Sequence, residues 1–598
     1  MVNDEPWPLR AIGYTASDAW HRGACPPGTC EVDLQRLRNL GFNAVRVRGT
    51  TLPSRVLAAA DRLGLLVLAD LPGLAEHALN PLETGGRAAL EAELEALLPA
   101  GGLHPSVVAW TLFHEEAGLL HPPFWQHAGL KDWVAGLVHR ARALVPGVLV
   151  EDNVAGGFSR LLDGSQPHVV TDVQGYSMPD LPATETAAWL DELATLAVPG
   201  SSWNFFGATA QSGQPIVVSE AGCRTGAPAG EALAGCLPDL LARLRGQRRL
   251  AGYALASLTD GAGRPPGLLG AEGTPKTWGY ESYGLSLPDL LGADAVVLEP
   301  PLVRVVAAEA EVALPVGVAA GRAGDRAGWS LSAEAFLDTC TVLGKPVREP
   351  LWTRELPLPP TLVFGPNAVG TLDLVAPFEP GVVTVLARLL DATGATVAAN
   401  RLHLVVAGAC QRAPDDERPP DVAVPLGPTW NGQWSAGWGP SAGGTVSGQG
   451  SGFFKWDLYT DLAYELDDVE RFALVFEAAP CPALRPLPQT DAEATPGRGW
   501  CRLFPEGQKM GFPLADAYAD ARGVLSGALT PDLGWAFGDV VRVDVPADRI
   551  GVPWLGVVRV ECGVDADPEW APGLRIFDEN AGRWPLRPTL FAWKKDRR

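Results

Sequence analysis

The sequence predicts an α/β protein: an N-terminal (β/α)8 TIM barrel followed by two all-β sandwich domains. The first sandwich is expected to be immunoglobulin-like, the second jelly-roll or galactose-binding-like. Three observations lead there. Over residues 1–298, short apolar runs alternate with amphipathic helical patterns. Beyond about residue 300 the helical period gives way to two-residue alternation with turn signals. Residues 426–598 then hold ten of the chain's twenty tryptophans. With 598 residues, the chain is too long for one core, and ~150 residues per domain gives three or four units.

The barrel elements follow in order. Leu9 to Tyr14 reads as the first strand. Asp33 to Leu40 reads as a helix stopped by Gly41. Asn43 to Arg48 is the next strand, then a helix from Ser54 to Leu63 ends at Gly64, and Leu65 to Leu71 is a third strand. Later strands are expected at 107–114, 147–152, 168–175, 214–220 and 250–259, with helices near 87–98, 128–143, 183–196 and 231–246. Eight strands alternating with helices over ~300 residues is what a (β/α)8 barrel needs. A doubly wound sheet competes, but no glycine-rich phosphate loop follows the first strand.

In the second unit, residues 299–410, Val382 to Leu390 and Thr396 to Val406 flank an Asp391-Ala392-Thr393-Gly394 turn and read as a hairpin. Residues 411–425 are proline-rich and dense in charge from Arg412 to Arg418, so a linker is expected there. The third unit, residues 426–598, is β-rich. Its tryptophans imply either a large aromatic core or stacking platforms of a carbohydrate-binding domain, and the core reading has precedence.

A net charge of −22 argues against nucleic acid or an anionic membrane as the main partner. It suits a neutral ligand better than an acidic one. The first fifteen residues carry acids and prolines in place of a basic start and an apolar core, so no signal peptide is expected and the location is read as cytoplasmic. The cysteines are nine in number and scattered, which reads as reduced thiols, although Cys25 and Cys30 flank a turn and can pair in an oxidising compartment. No cofactor is expected, and no His, Cys or Glu spacing suggests a metal: His114-Glu115-Glu116 lacks the second histidine of a zincin helix.

Two glutamates stand out. Glu115 ends the run Val107 to His114, and Glu220 ends Ile216 to Ser219. An unpaired carboxylate is costly behind an apolar strand, so each belongs at the strand's mouth, facing a polar site. Two acids converging at the carboxyl ends of barrel strands is the layout that glycosidic cleavage requires. Alone, Glu115 also reads as an acid at a helix N-terminus, Arg46 as half of a structural ion pair, and His114 as a core histidine. Asp152-Asn153 and Asp172 read as residues of the rim or as loop caps, the cap reading having precedence. Trp203 and Trp278 are candidate stacking platforms, or packing.

Several runs in the right order carry a family resemblance: Phe42 to Arg46, Leu63 to Asp70, His104 to Leu112, Pro215 to Gly222 and Leu258 to Asp260. Over roughly residues 5–280 the chain resembles the barrel of glycoside hydrolase family 2, a clan A family of retaining β-glycosidases. The resemblance implies Glu115 as general acid/base and Glu220 as nucleophile. It further implies Arg46 as the arginine that keeps the nucleophile ionised, and Tyr176 as a hydroxyl that bonds to it. Retention would place the two carboxyl groups ~5–5.5 Å apart. Because the barrel signal begins near Met1, the family's N-terminal sugar-binding sandwich is expected to be lacking. The family's Asn-Glu is His114-Glu115 here; histidine can also donate to a sugar hydroxyl. The implied function is a retaining β-glycoside hydrolase acting on a neutral, galacto- or manno-configured oligo- or polysaccharide. Alternatives are an endo-acting, mannanase-like glycanase and a catalytically silent carbohydrate-binding protein.

Overall fold

The computed structural model describes residues 7–14, 28–47, 53–72, 84–114, 128–154, 174–177, 183–201, 213–222, 229–259, 267–269, 283–406, 412–427, 431–435, 437–440, 445–481, 499–504, 506–512, 539–552, 556–565, 573–579, 584 and 586–595. The first unit is one all-parallel sheet of eight strands. They are β1 (Leu9–Tyr14), β2 (Ala44–Val47), β3 (Leu66–Asp70), β4 (Val107–His114), β5 (Leu149–Val154), β6 (Gln174–Ser177), β7 (Ile216–Ala221) and β8 (Leu250–Leu255). Their order is β5-β4-β3-β2-β1-β8-β7-β6. The first strand thus pairs with the last, Ala11 opposite Ala254. A doubly wound sheet would instead reverse direction within the row, so that competitor is set aside. β5 and β6 end the row and lie near each other; among the described residues no ladder joins them.

Helices α1 (Thr29–Asn39), α2 (Ser54–Leu63), α3 (Thr84–Gly101), α4 (Ala128–Leu144), α5 (Ala183–Leu196) and α6 (Ala229–Gly246) form the outer layer. The expected glycine stops hold: Gly41 has φ 100° and Gly64 has φ 66°, a left-handed region in which a side chain is strained. β6 starts at Gln174, at the far end of the range expected for it; residues 168–173 lie outside the described ones.

The two faces of the sheet differ in chemistry. Ile12, Tyr14, Val45, Val47, Val67 and Val218 pack with the helices in one buried core. The other face, called inner below, carries Ala11, Ala44, Leu68, Ala109 and Ala254. Small residues let the strands crowd together there. A Cβ on Gly13 would sit 2.2 Å from the Ala256 carbonyl oxygen, so this position admits only glycine without movement.

The second unit is a β-sandwich. One sheet runs in the order β10 (Val303–Val306), β18 (Thr396–Val406), β17 (Gly381–Leu390), β13 (Ser330–Cys340), β14 (Pro346–Pro357). The facing sheet is β16 (Gly365–Val375), β11 (Glu311–Ala320), β9 (Ala295–Leu298), with a small β12 (Gly324–Asp325) and β15 (Thr361–Leu362) pair beside them. The expected hairpin is β17–β18, its turn tied by Asp391, which accepts from the Thr393 and Ala395 backbone N–H groups at 2.8 and 3.0 Å. β9 already belongs to this unit, pairing with β11. α7 (Leu287–Leu291) precedes it.

The third unit pairs two sheets. Five strands, β20 (Asn431–Trp434), β23 (Gly452–Tyr459), β28 (Val557–Val564), β25 (Gly499–Leu503) and β26 (Met510–Phe512), face a larger sheet. That sheet runs β19 (Val422–Pro425), β30 (Thr589–Lys594), β24 (Val469–Cys481), β29 (Gly573–Phe577), β22 (Val446–Gly448), β21 (Trp438–Pro440), with β27 (Asp539–Pro546) also on β24. Trp456, Trp500, Trp584 and Trp593 are buried, as the core reading requires. The most exposed aromatic rings of this unit among the described residues are Tyr459 and Tyr464.

The stretch expected to be a linker is a bonded strap. Asp415 accepts from the Leu343 N–H at 2.7 Å, Trp593 Nε1 donates to the Arg418 carbonyl at 2.8 Å, and β19 pairs with β30. Glu417 accepts from Arg542 Nη1 at 2.5 Å and from Arg471 Nη2 at 3.0 Å. Below the strap, Cys340, Leu343, Val382 and Val405 share a buried cluster with Val475, Phe591 and Trp593. Proline and charge signalled exposure, but the charges are spent on ion pairs between two units. Cys30 is also disulfide-bonded, which corrects the expectation of reduced thiols throughout and counts against a cytoplasmic reading. Among the described residues no helix is long and apolar enough to cross a membrane.

Glu417→Ala removes one of the two carboxylates that Arg471 and Arg542 share, Asp544 being the other, and is expected to lower stability by about 1 kcal/mol, read as a fall in calorimetric Tm. Lys345, half exposed and 3.7 Å from Glu417, supplies the control: Lys345→Ala should cost under about 0.5 kcal/mol.

Candidate active site

All eight strands run the same way, so their carboxyl ends share one edge of the sheet. β4 ends at His114, where Glu115 follows, and β7 carries Glu220 one residue from its end. β4 is pinned at its start: Asp61 on α2 accepts from the Ser106 N–H at 2.9 Å and lies 2.7 Å from His104 Nδ1. Glu115, Trp203 and Trp278 lie outside the described residues, as does Asp172. For His114 and Tyr176 the backbone is described, at the ends of β4 and β6, and the side chains are not.

Glu220 owes its place to a bulge. Val218 sits opposite Tyr253 on β8, yet Ala221 sits opposite Leu255, so three steps on β7 match two on β8. On the other side, Tyr176 faces Val218 and Ser177 faces Glu220. Ile216, Val218 and Ala221 all pack into the helix-facing core. Strict alternation from Val218 would send Glu220 to that core too. The extra residue instead turns both Ser219 and Glu220 away from it, the re-aiming that bulges produce. Glu220 is half-buried.

Just below this edge the inner face holds a polar layer. Asp70, Thr111 and Glu151 lie directly opposite one another on β3, β4 and β5. Arg46 reaches the layer from β2, its Nη2 donating to Asp70 Oδ1 at 2.9 Å with both side chains 1% exposed. Arg46 was expected to hold Glu220 ionised; the ion pair described for it is the one with Asp70, the structural pairing also read for a buried arginine. The Thr111 hydroxyl donates to Glu151 Oε2 at 2.7 Å. Arg46 Nε and Nη1 and Glu151 Oε1 are buried without a hydrogen-bond partner among the described residues.

Burial pushes the Glu151 carboxyl up to about 7, with Asp70 and Asp152 pushing the same way, against the pull of Arg46 and the Thr111 hydroxyl. Asp152 and Asn153 were expected to cap a loop. Both instead lie inside β5 and are buried, because the strand extends to Val154. Asp70, Thr111 and Glu151 carried no assigned role in the sequence. The available signal was an acid pair in the apolar run Leu149 to Val154, the same anomaly that marked Glu115 and Glu220. Among the described residues, no three His, Cys, Asp or Glu side chains are grouped to hold a metal ion.

No family model matches this chain. A β-glucuronidase of Streptococcus agalactiae is 28% identical over 128 residues, 19% of this chain and 20% of that protein. Among solved structures, a Bacteroides uniformis β-glucuronidase is 13% identical, covering 96% of this chain and 66% of its own, with a TM-score of 0.39. An FMN-binding β-glucuronidase from Facaelibacterium prausnitzii L2-6 is 16% identical, covering 68% and 57%, with a TM-score of 0.41. A GH2 β-galacturonidase from Eisenbergiella tayi bound to galacturonate is 17% identical, covering 48% and 51%, with a TM-score of 0.38. The chain spans one fifth of the curated relative's length and about half to two thirds of these solved chains.

The raised carboxyl makes a pH prediction with a definite sign. Glu151 binds its proton more tightly in the fold than in the unfolded chain. Stability is therefore full below the ordinary glutamate value of 4.5 and falls as pH rises to about 7. The total loss is on the order of 3 kcal/mol, and stability is flat above that range with respect to this group. Glu151→Gln is expected to remove this slope, measured as denaturant midpoints at a series of pH values. An unchanged slope would refute the assignment.

Proposed function

We propose that this chain is a retaining β-glycoside hydrolase of the family 2 kind, with Glu220 as nucleophile and Glu115 as general acid/base. The observation that carries this is the bulge on β7. It presents a carboxylate at the same edge of the same sheet where β4 ends beside Glu115. We further infer that β5 closes onto β6, so that the eight strands form a full barrel and bring the two acids across one cavity.

Glu220 attacks the anomeric carbon while Glu115 protonates the departing oxygen, giving a covalent glycosyl-enzyme. Glu115 then takes a proton from water, which attacks the same carbon and frees Glu220. The first step needs Glu220 ionised and Glu115 protonated. His114, immediately before the acid, would donate to a sugar hydroxyl. Tyr176, near the end of β6, would bond the Glu220 carboxylate, as the family resemblance implies. Trp203 and Trp278 would supply stacking faces.

Two observations bear on the sugar and point in different directions. The net charge of −22 favours a neutral galacto- or manno-configured unit. The β-glucuronidase that is 28% identical over 128 residues favours a uronide. A panel of aryl β-galactoside, mannoside, glucuronide and galacturonide separates these. Turnover of one class is expected, reduced by about 10³-fold or more in Glu220→Ala and restored in part by azide as the glycosyl azide. Binding of sugars with no hydrolysis of any member would instead support a silent carbohydrate-binding protein.

A further inference from the structure

Two-carboxylate chemistry leaves the polar layer beneath the mouth unused. Four strands build it, and its spare capacity is specific. A guanidinium has five N–H donors, and here only one side is engaged: Nη2 on Asp70, with Nε and Nη1 free of partners among the described residues. One strand beyond Thr111, Glu151 accepts from the threonine at Oε2 and keeps Oε1 unpartnered. Arg46 and Glu151 also interact electrostatically. Buried donors and acceptors left unmade are costly, by ~1–3 kcal/mol each, unless another group uses them in a working state.

We propose that Glu151 is a positioning residue for the hydrolysis, competing with Glu220 for the spare N–H groups of Arg46. It rests on the reading above and adds a part to it. With Glu151 neutral, the layer holds one cation and one anion, Arg46 and Asp70, and nothing below draws the free side of Arg46. That side turns to the mouth and supports the anionic nucleophile. When Glu151 ionises, Arg46 is held below between two carboxylates. Glu220 then loses its counter-charge and the first step slows. The groups facing Glu151 are Arg46 from β2, Asp70 from β3, the non-titrating Thr111 from β4 and its own neighbour Asp152 on β5; the side chains of β6 lie outside the described residues.

The test is the pH profile of kcat/KM on the aryl glycoside that the wild type cleaves. The wild type should lose activity with an apparent ionisation near the Glu151 value of about 7. In Glu151→Gln, which cannot ionise, that alkaline limb should move up by at least about one pH unit. A purely structural role would scale the whole profile and leave the limb in place. Thr111→Val guards against a variant that fails to fold. It removes the hydrogen bond that favours the ionised form, so its limb should also move up. Turnover with the limb unmoved in both variants overturns this inference alone. A wild type that cleaves no glycoside overturns the reading of the function and this inference with it.

Discussion

Burying the Arg46 guanidinium against Asp70 is the interaction on which the site's arrangement depends. Neither charge is affordable alone on the inner face of a parallel sheet, where water is excluded and each unpaired ion costs several kcal/mol. Paired at 2.9 Å, they fix the side chain that links the second strand to the third. They also set the charge of everything nearby. Glu151 joins a layer that already has one anion for one cation, which is why burial and Asp70 together hold its proton on. Arg46 and Asp70 thus balance each other at the base of the polar layer, and Arg46 Nε and Nη1 stay without a hydrogen-bond partner among the described residues.

Above this base, geometry decides which residues face the mouth. Ala11, Ala44, Ala109, Ala254 and Gly13 let the strands crowd together, and the bulge at Ser219–Glu220 breaks the alternation of β7. Without the extra residue, Glu220 would enter an apolar core at prohibitive cost. With it, the same sequence supplies Val218 and Ala221 to the core and the acid to the edge. The sandwich units bear on this site indirectly: the first packs on the barrel-like unit through Phe336, Leu386 and Ala399, and the strap around Glu417 fixes the second to the third.

Much of the first unit was legible in the sequence because period-two and period-3.6 patterns differ, and because Gly41 and Gly64 mark helix ends with a conformation other residues avoid. Glu220's place at the end of a strand was equally legible. Its orientation was not, since a bulge exists only relative to partner strands, and one sequence does not state how many residues lie opposite. The Asp70, Thr111 and Glu151 row was hidden for the same reason: the three are dozens of residues apart and meet only through register. Asp152 was misread because an acid followed by asparagine resembles a cap until the strand is known to continue to Val154. The strap was misread because charge and proline indicate solvent on average, whereas Glu417 spends its charge on Arg471 and Arg542.

A nucleophilic Glu220 becomes covalently bonded to sugar during turnover, and trapping that bond is the decisive experiment. The protein would be incubated with an activated 2-deoxy-2-fluoro β-glycoside of whichever sugar it cleaves, digested, and sequenced by mass spectrometry. One fluoro-sugar per chain, attached to Glu220, is the expected result. A label on any other carboxylate, or turnover with inversion and no adduct, would contradict it.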